Sequence, residues 1–215
     1  KSLNNYVNFK LHKFFESFFH KKRFSIIEIG CANSIWPIYF KKKFNAISDG
    51  LDYSKIGCKK SRALFKYHKI DGKIYCADLF NPPKTIFKKY DFVVTFGVIE
   101  HFVETKGCLE ACAKLLKPGG SLITIIPNMN GINGFLQKMI DRKVYDVHVP
   151  LSKKDLTKAH ENSSLLLKKC DYFLSVNLSV INSGTFSSSR YNKYLRHLLS
   201  SISKIFWSLE KLKIK

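Results

Sequence analysis

Five short strand-like runs, separated for the most part by stretches of helical periodicity, constrain this chain more than any other feature. The runs are Phe24 to Ile29, Ala46 to Leu51, Lys73 to Ala77, Phe92 to Phe96 and Ser121 to Ile126. Helical stretches lie between them at Ser34 to Lys43, Lys55 to Tyr67 and Thr105 to Leu116. Segments such as FVVTF and SLITII are continuously apolar, which suits strands covered on both faces, and strands alternating with helices give a parallel arrangement. The expected class is therefore α/β: a doubly wound, mostly parallel sheet with helices on both faces. Such sheets bind ligands at the carboxyl ends of their strands.

The flanking segments complete the plan. From Ser2 to His20, Leu3, Val7, Leu11, Phe14, Phe15 and Phe18 recur at three- and four-residue spacings, which predicts an amphipathic helix covering the domain. Beyond Pro127 come NMNGINGF, a short helix near Phe135 to Asp141, and VYDVHVPLS ahead of a helix that Ser152 caps. Leu165 to Phe173 reads as a sixth strand and SGTFSSS as a flexible link. Tyr191 to Leu212 reads as a long helix with Leu195, Leu199, Ile202 and Phe206 on its apolar side. At 215 residues the chain closes one core. The expectation is a single domain, with a cover helix in 1–22, a ligand-binding core in 23–128, a helical lid in 129–163, and the sixth strand and basic helix in 164–215.

Lys and Arg total 37 against 16 Asp and Glu, a formal charge of +21. Clustered, that charge would favour nucleic acid, an anionic membrane or an anionic substrate. The lysines are instead spread along the whole chain, as a compositional bias spreads them. The last helix sets Arg190, Lys193, Arg196, Lys204, Lys211 and Lys213 beside an apolar stripe, which suits weak contact with an anionic membrane, or packing on its own domain or a second subunit. No apolar run reaches transmembrane length, and Lys10, His12 and Lys13 interrupt any leader-like segment. The expected location is cytoplasmic, peripheral to a membrane where the basic helix engages one. Because the chain begins at Lys1 rather than Met, a preceding targeting segment stays open. Cys31, Cys58, Cys76, Cys108, Cys112 and Cys170 form no C-x-x-C pair and adjoin no His at zinc spacing, so no metal site is expected; Cys108 and Cys112, one turn apart on a helix, are expected to be small buried apolar residues.

The strand ends carry the chemistry. FSIIEIGCANS puts Glu28 two residues before Gly30, followed by small residues that let a ligand approach the backbone. A dinucleotide loop of G-x-G-x-x-G type would need glycine where Ala32 and Ile35 stand, so a pyrophosphate is poorly served. Asp52 ends the second strand 22 residues beyond Gly30, near the spacing of a carboxylate that binds ribose hydroxyls, so a nucleoside fits. Asp78 follows the third strand, and Glu100 and His101 follow the fourth in TFGVIEHF.

In this order these residues resemble the class I S-adenosylmethionine-dependent methyltransferases, more narrowly the small-molecule branch whose fourth strand runs into an E-H pair. The likeness spans about Phe24 to Asn128 and includes LLKPGG, which matches the turn before strand five. It implies a Rossmann-like methyltransferase fold with S-adenosyl-L-methionine as cofactor. It implies that the loop with Glu28, Gly30, Cys31 and Ala32 contacts the methionine portion, that Asp52, followed by Tyr53, binds the ribose, and that Asp78 with Leu79 holds the adenine. Gly97 to His101 would lie beside the sulfonium. Two features depart from the family. Ala32 and Ser34 replace the second and third glycines of the loop, and Ser34 is expected to cap the next helix so that binding persists. The family's seventh, antiparallel strand has no counterpart before the terminal KIK, so it is displaced or cut away, leaving strand six with an open edge.

His101 is the candidate catalytic base, beside an orienting role, because a sulfonium is already an activated donor and alignment alone lowers much of the barrier. Asn128, Asn130 and Asn133 are placed to meet a polar acceptor such as a sugar, and turn chemistry explains them equally. Tyr145, Asp146 and His148 offer a polar cluster in the lid. The reading is methyl transfer by direct displacement to a small polar or lipid-linked metabolite, a saccharide hydroxyl among these. Two alternatives stand beside it. One is an RNA methyltransferase, which the charge favours but for which the chain has no Asn-Pro-Pro-Tyr type motif and no attached RNA-binding module. The other is a non-catalytic cofactor-binding module.

Overall fold

The computed structural model describes residues 5–20, 23–182 and 190–212. Five strands form one parallel sheet: β1 (Ser25–Ile29), β2 (Ile47–Asp52), β3 (Ile74–Cys76), β4 (Tyr90–Phe96) and β5 (Leu116–Ile125), in the order β3-β2-β1-β4-β5. The chain winds outward from β1 to β3, then returns to place β4 on the other side of β1. The switch point therefore lies between the carboxyl ends of β1 and β4, where sheets of this winding open a crevice.

Side-chain alternation divides the core as a two-faced strand requires. Ile26, Phe92, Val94 and Ile123 point to one face, where α1 (Tyr6–Phe18) and α2 (Trp36–Phe44) cover them with Leu11, Phe15, Trp36 and Phe40. Ile27, Ile29 and Val93 point to the other, under Cys108, Leu109 and Cys112 of α4 (Thr105–Ala113). Next to α2, α3 (Lys55–His68) packs Cys58 and Phe65 with Ile38 and Ile74 at the β3 end of the sheet. The sequence-based assignment of a doubly wound sheet with helices on both faces holds, and α1 covers the domain as its periodicity predicts.

Past β5 lie α5 (Ile132–Ile140), α6 (Arg142–Asp146) and α7 (Lys153–Glu161). Ser152 caps α7 as expected, in a reciprocal capping box with Asp155. Only α5, α6 and the turn after them stand apart from the layers, because α7 packs Leu156 and Ala159 into the α4 side of the core. The part of 129–163 that could act as a lid, as expected from the sequence, is thus limited to the stretch before α7.

Two further expectations change. Leu165 to Phe173 is not a strand. Leu165 packs on the α4 face and Phe173 against Phe14 on the α1 face, so the segment crosses from one side of the sheet to the other instead of running along β5. Lys153 and Asp171 hold the crossing with an ion pair of 3.1 Å. Lys117 to Gly120 is not a turn ahead of the fifth strand but an irregularity inside β5: Tyr90 pairs with Leu116 and Phe92 with Ser121, and Gly119 takes φ +76° to absorb the extra residues. The link SGTFSSS and the terminal KIK lie outside the described residues.

The long helix α8 (Arg190–Leu212) docks through Trp207, whose Nε1–H donates to the Val176 carbonyl at 2.8 Å, and through Glu210, which pairs with Lys10 of α1 at 3.0 Å. Leu199, Leu195 and Ile202 of α8 close a small core with Leu178, Ile181 and α5. Among the described residues no helix is long and apolar enough to cross a membrane.

Candidate functional site

Gly30, Asp52, Asp78 and Gly97 all sit at the carboxyl rim of adjacent strands, as a shared cleft demands. The loop after β1 leaves the strand through Gly30 at φ +71°, a conformation that suits glycine, and a Cβ there would stand 2.6 Å from Val98 Cγ2. The loops after β1 and β4 therefore meet at the switch point.

Asp52 is 5% exposed and holds this loop in place. Its Oδ2 accepts from the Ala32 amide at 2.9 Å and its Oδ1 from the Ser54 amide at 2.8 Å. A carboxylate offers about four lone-pair sites, so both oxygens keep acceptor capacity after these bonds. From the other side Ser61 of α3 donates to the Cys31 carbonyl at 2.9 Å and accepts from the Asn33 amide at 3.1 Å, with Asn33 at φ +54°. Ala32 fits in the second glycine's place because residue 57 of α3 is glycine: a Cβ at Gly57 would stand 2.6 Å from the Ala32 Cβ. Ser34 does not occupy the cap position of α2, which Ile35 takes, yet its Oγ accepts from the Trp36 amide at 3.1 Å and secures the same helix start.

The remaining predicted residues occupy the rim unequally. Glu28 is buried at the end of β1. The Cys31 thiol is turned inward against Gly50, and burial pushes its pKa up, so contact from this residue with a ligand comes through its backbone. Tyr53 is 82% exposed beside Asp52. Asp78 is exposed, with Oδ1 accepting from the Phe80 amide at 3.0 Å, while the Leu79 side chain belongs to the core.

At the tip of β4, Gly97 turns at φ +68° into a short 3-10 turn, Ile99–His101. Glu100 is 1% exposed, its Oε2 has no hydrogen-bond partner, and burial raises its pKa. His101 is exposed and places Nδ1 3.0 Å from the Val147 carbonyl. The turn after α6 is stitched to the same place: the Val149 amide donates to the Glu100 carbonyl at 2.6 Å, and His148 brings its ring 4.6 Å from that of His101. The His148 pKa is lowered, chiefly by burial, with His101 nearby acting the same way.

Of the lid residues, then, His148 reaches the strand tips. Tyr145 takes Lys138 over its ring at 5.7 Å, and Asp146 faces Arg142 at 3.5 Å. Asn128 accepts from the Asn130 amide at 3.2 Å, which is turn chemistry, whereas the Asn133 Oδ1 is buried without a partner. Sequence reasoning missed Ser61 and the role of Glu100. Ser61 is a small polar residue on the buried side of a helix, which marks packing as readily as loop support. A shallow depression lined by Lys88, Lys117, Gly119 and Leu165 lies at the opposite, amino end of β4 and β5 and belongs to no part of this rim.

A protein-family model described as a methyltransferase domain matches residues 4–172. No curated protein matches the chain. Solved structures do match. The YcgJ protein of Bacillus subtilis is 13% identical with a TM-score of 0.59, over 72% of this chain and 67% of its own. A Methanococcus maripaludis protein described as an S-adenosyl-L-methionine-dependent methyltransferase is 18% identical with a TM-score of 0.55, over 71% of this chain and 72% of its own. A Pyrococcus horikoshii protein is 18% identical with a TM-score of 0.53, over 60% of each chain. The chain spans less than two thirds of several matched structures, 60% of the Pyrococcus horikoshii protein and 44% of the CurJ carbon methyltransferase. At these identities the likeness is one of fold.

Proposed function

Because this chain belongs to the methyltransferase domain family, we propose that it is an S-adenosyl-L-methionine-dependent enzyme that methylates a small polar or lipid-linked acceptor, a saccharide hydroxyl among these. One observation carries the reading: a buried carboxylate, a side-chain-free turn and a histidine lie on one rim, at the switch point of the sheet. The cofactor supplies an activated methyl group on a positively charged sulfur.

The rim residues fit such a cofactor. Asp52 keeps lone pairs for two ribose hydroxyls, and Tyr53 flanks it. Gly30 and Ala32 keep the loop bare for the methionine portion, with Glu28 and the Cys31 backbone behind it. Asp78 leaves Oδ2 for the adenine, and the Leu79 backbone runs alongside. Gly97 leaves room where the methyl group emerges. On the acceptor side stand His101 and His148, with Asn128 and Tyr145 at the lid's edge. His101 donates Nδ1–H to a carbonyl, so Nε2 carries the lone pair that can take a proton from the acceptor.

The test is methyl transfer from radiolabelled S-adenosyl-L-methionine to a panel of free and lipid-linked saccharides, with RNA as a counter-panel. Label in RNA alone would replace the small-acceptor reading, and failure to bind the cofactor in a folded sample would remove the enzyme reading altogether. Asp52→Ala is expected to weaken cofactor binding by at least about tenfold, since it removes charge-assisted acceptors and frees the Ala32 loop. Calorimetry showing unchanged affinity would refute the ribose assignment.

A second partner follows from α8. Tyr194, Leu198, Ile205, Leu209 and Leu212 form an exposed apolar ridge along it, and Lys193, Lys204 and Lys211 flank that ridge on one side. We infer that this face rests on an anionic membrane, where Lys193 and Lys204 each contribute about 1 kcal/mol, while Lys211 is drawn over the Tyr6 ring of α1 at 5.0 Å. Co-sedimentation with phosphatidylserine vesicles should be strong at low salt, weak at high salt, and absent for neutral phosphatidylcholine. Equal binding to both vesicles, or none, would leave the ridge to another partner.

A further inference from the structure

We propose that Glu100, His101 and His148 form a binding site for one divalent transition-metal cation, which the transferase fold does not itself require. One ligand atom from each residue lies within 4.8 Å of the others. Three independent features make this a set of ligands and not a chance meeting of polar groups.

First, both imidazoles are held in the same tautomer. His101 Nδ1 stands 3.0 Å from the Val147 carbonyl and His148 Nδ1 2.6 Å from the Val144 carbonyl. A carbonyl only accepts, so in each neutral ring the proton sits on Nδ1 and the Nε2 lone pair is open. A backbone carbonyl behind the distal nitrogen is the support that metal-bound histidines use. Second, the Glu100 carboxyl is almost wholly buried with Oε2 unpartnered, a costly arrangement that a cation would relieve. Third, the site is assembled from two segments already tied together. Glu100 and His101 come from the turn after β4, His148 comes from the lid, and the Val149 amide bonds the Glu100 carbonyl at 2.6 Å.

Two imidazoles and one carboxylate suit zinc, manganese or iron(II) rather than magnesium or calcium, which prefer all-oxygen sets. Three protein ligands leave at least one position open, next to the acceptor side of Gly97. This part rests on the transferase reading. An acceptor hydroxyl at that position would ionise more readily. Its proton would pass to solvent, the carbon–oxygen bond would form, and the carbon–sulfur bond would break with its electron pair kept by sulfur. With the cation bound, His101 Nε2 holds the metal and no longer takes the proton itself.

The test is calorimetric titration of chelator-treated protein with zinc chloride, and separately with manganese chloride, without S-adenosyl-L-methionine. Manganese guards against zinc taken up by the six free thiols. One saturable cation per chain is expected, with affinity reduced at least tenfold in both His148→Ala and Glu100→Gln. Circular dichroism and thermal unfolding show whether each variant is folded. Two results would overturn the site: no saturable binding to the wild type, or equal binding to the wild type and a folded His148→Ala variant. Cation binding without cofactor binding would sink the transferase reading and spare the site, and the reverse would sink only the site.

Discussion

With a methylated acceptor in hand, His101→Ala lowers kcat of the chelator-treated enzyme by about 10²- to 10⁴-fold, the range expected when a group that removes a proton in the transition state is lost. S-adenosyl-L-methionine binds the variant as it binds the wild type. The asymmetry follows from placement. His101 faces the lid, with Nδ1 engaged by Val147 and its ring against His148, whereas the loop that would hold the cofactor is organised by Asp52 and Ser61. His101→Asn separates two meanings of a loss. Its amide can still donate toward Val147 and hold the lid turn, but it offers no counterpart to Nε2. If Asn restores kcat, the ring serves only to anchor the lid. A fall in cofactor affinity of tenfold or more in His101→Ala would instead move the residue into the cofactor pocket.

The sequence made the sheet legible because parallel strands buried on both faces leave largely apolar runs such as FVVTF and SLITII, and it put Asp52 at the end of β2, where the carboxylate is found holding the Ala32 and Ser54 amides. The expected sixth strand failed for a reason that hydropathy does not encode. Leu165 and Phe173 are both apolar and both packed, yet on opposite faces of the sheet. A one-dimensional pattern records that a residue is buried and not which face buries it. The Lys117 to Gly120 irregularity escaped for a related reason, since a Pro-Gly-Gly sequence marks a turn or a bulge equally well. The cluster of Glu100, His101 and His148 was least accessible. Two of its members adjoin in sequence, but the third arrives on a lid turn placed by hydrogen bonds to backbone groups, which carry no sequence signature. An inventory of cysteine spacings, on which the expectation of no metal rested, cannot see it.

Phe15→Ala should lower the free energy of unfolding by about 3–5 kcal/mol, the usual loss for a fully buried phenylalanine. Phe15 stacks on Phe19 at 5.3 Å and meets Phe40 edge-on at 5.0 Å and Trp36 at 5.8 Å. Phe9→Ala, 40% exposed on the same helix, serves as the control and should cost far less. Urea unfolding with the slope unchanged between variants gives the comparison directly. If Phe15→Ala costs less than about 1 kcal/mol, α1 is a detachable appendage and not part of the core. The consequence reaches the site. Phe15 also touches Phe96, and Phe96 stacks on Trp36 at 4.8 Å, one residue before Gly97 and four before Glu100. The aromatic layer beneath α1 therefore packs the end of β4 against the start of α2, and adds to the β1–β4 pairing in positioning the turn that carries His101 beside the loop after β1. Loosening it should degrade the alignment between donor and acceptor even in the fraction of molecules that stay folded, so kcat should fall in Phe15→Ala at temperatures well below its unfolding transition.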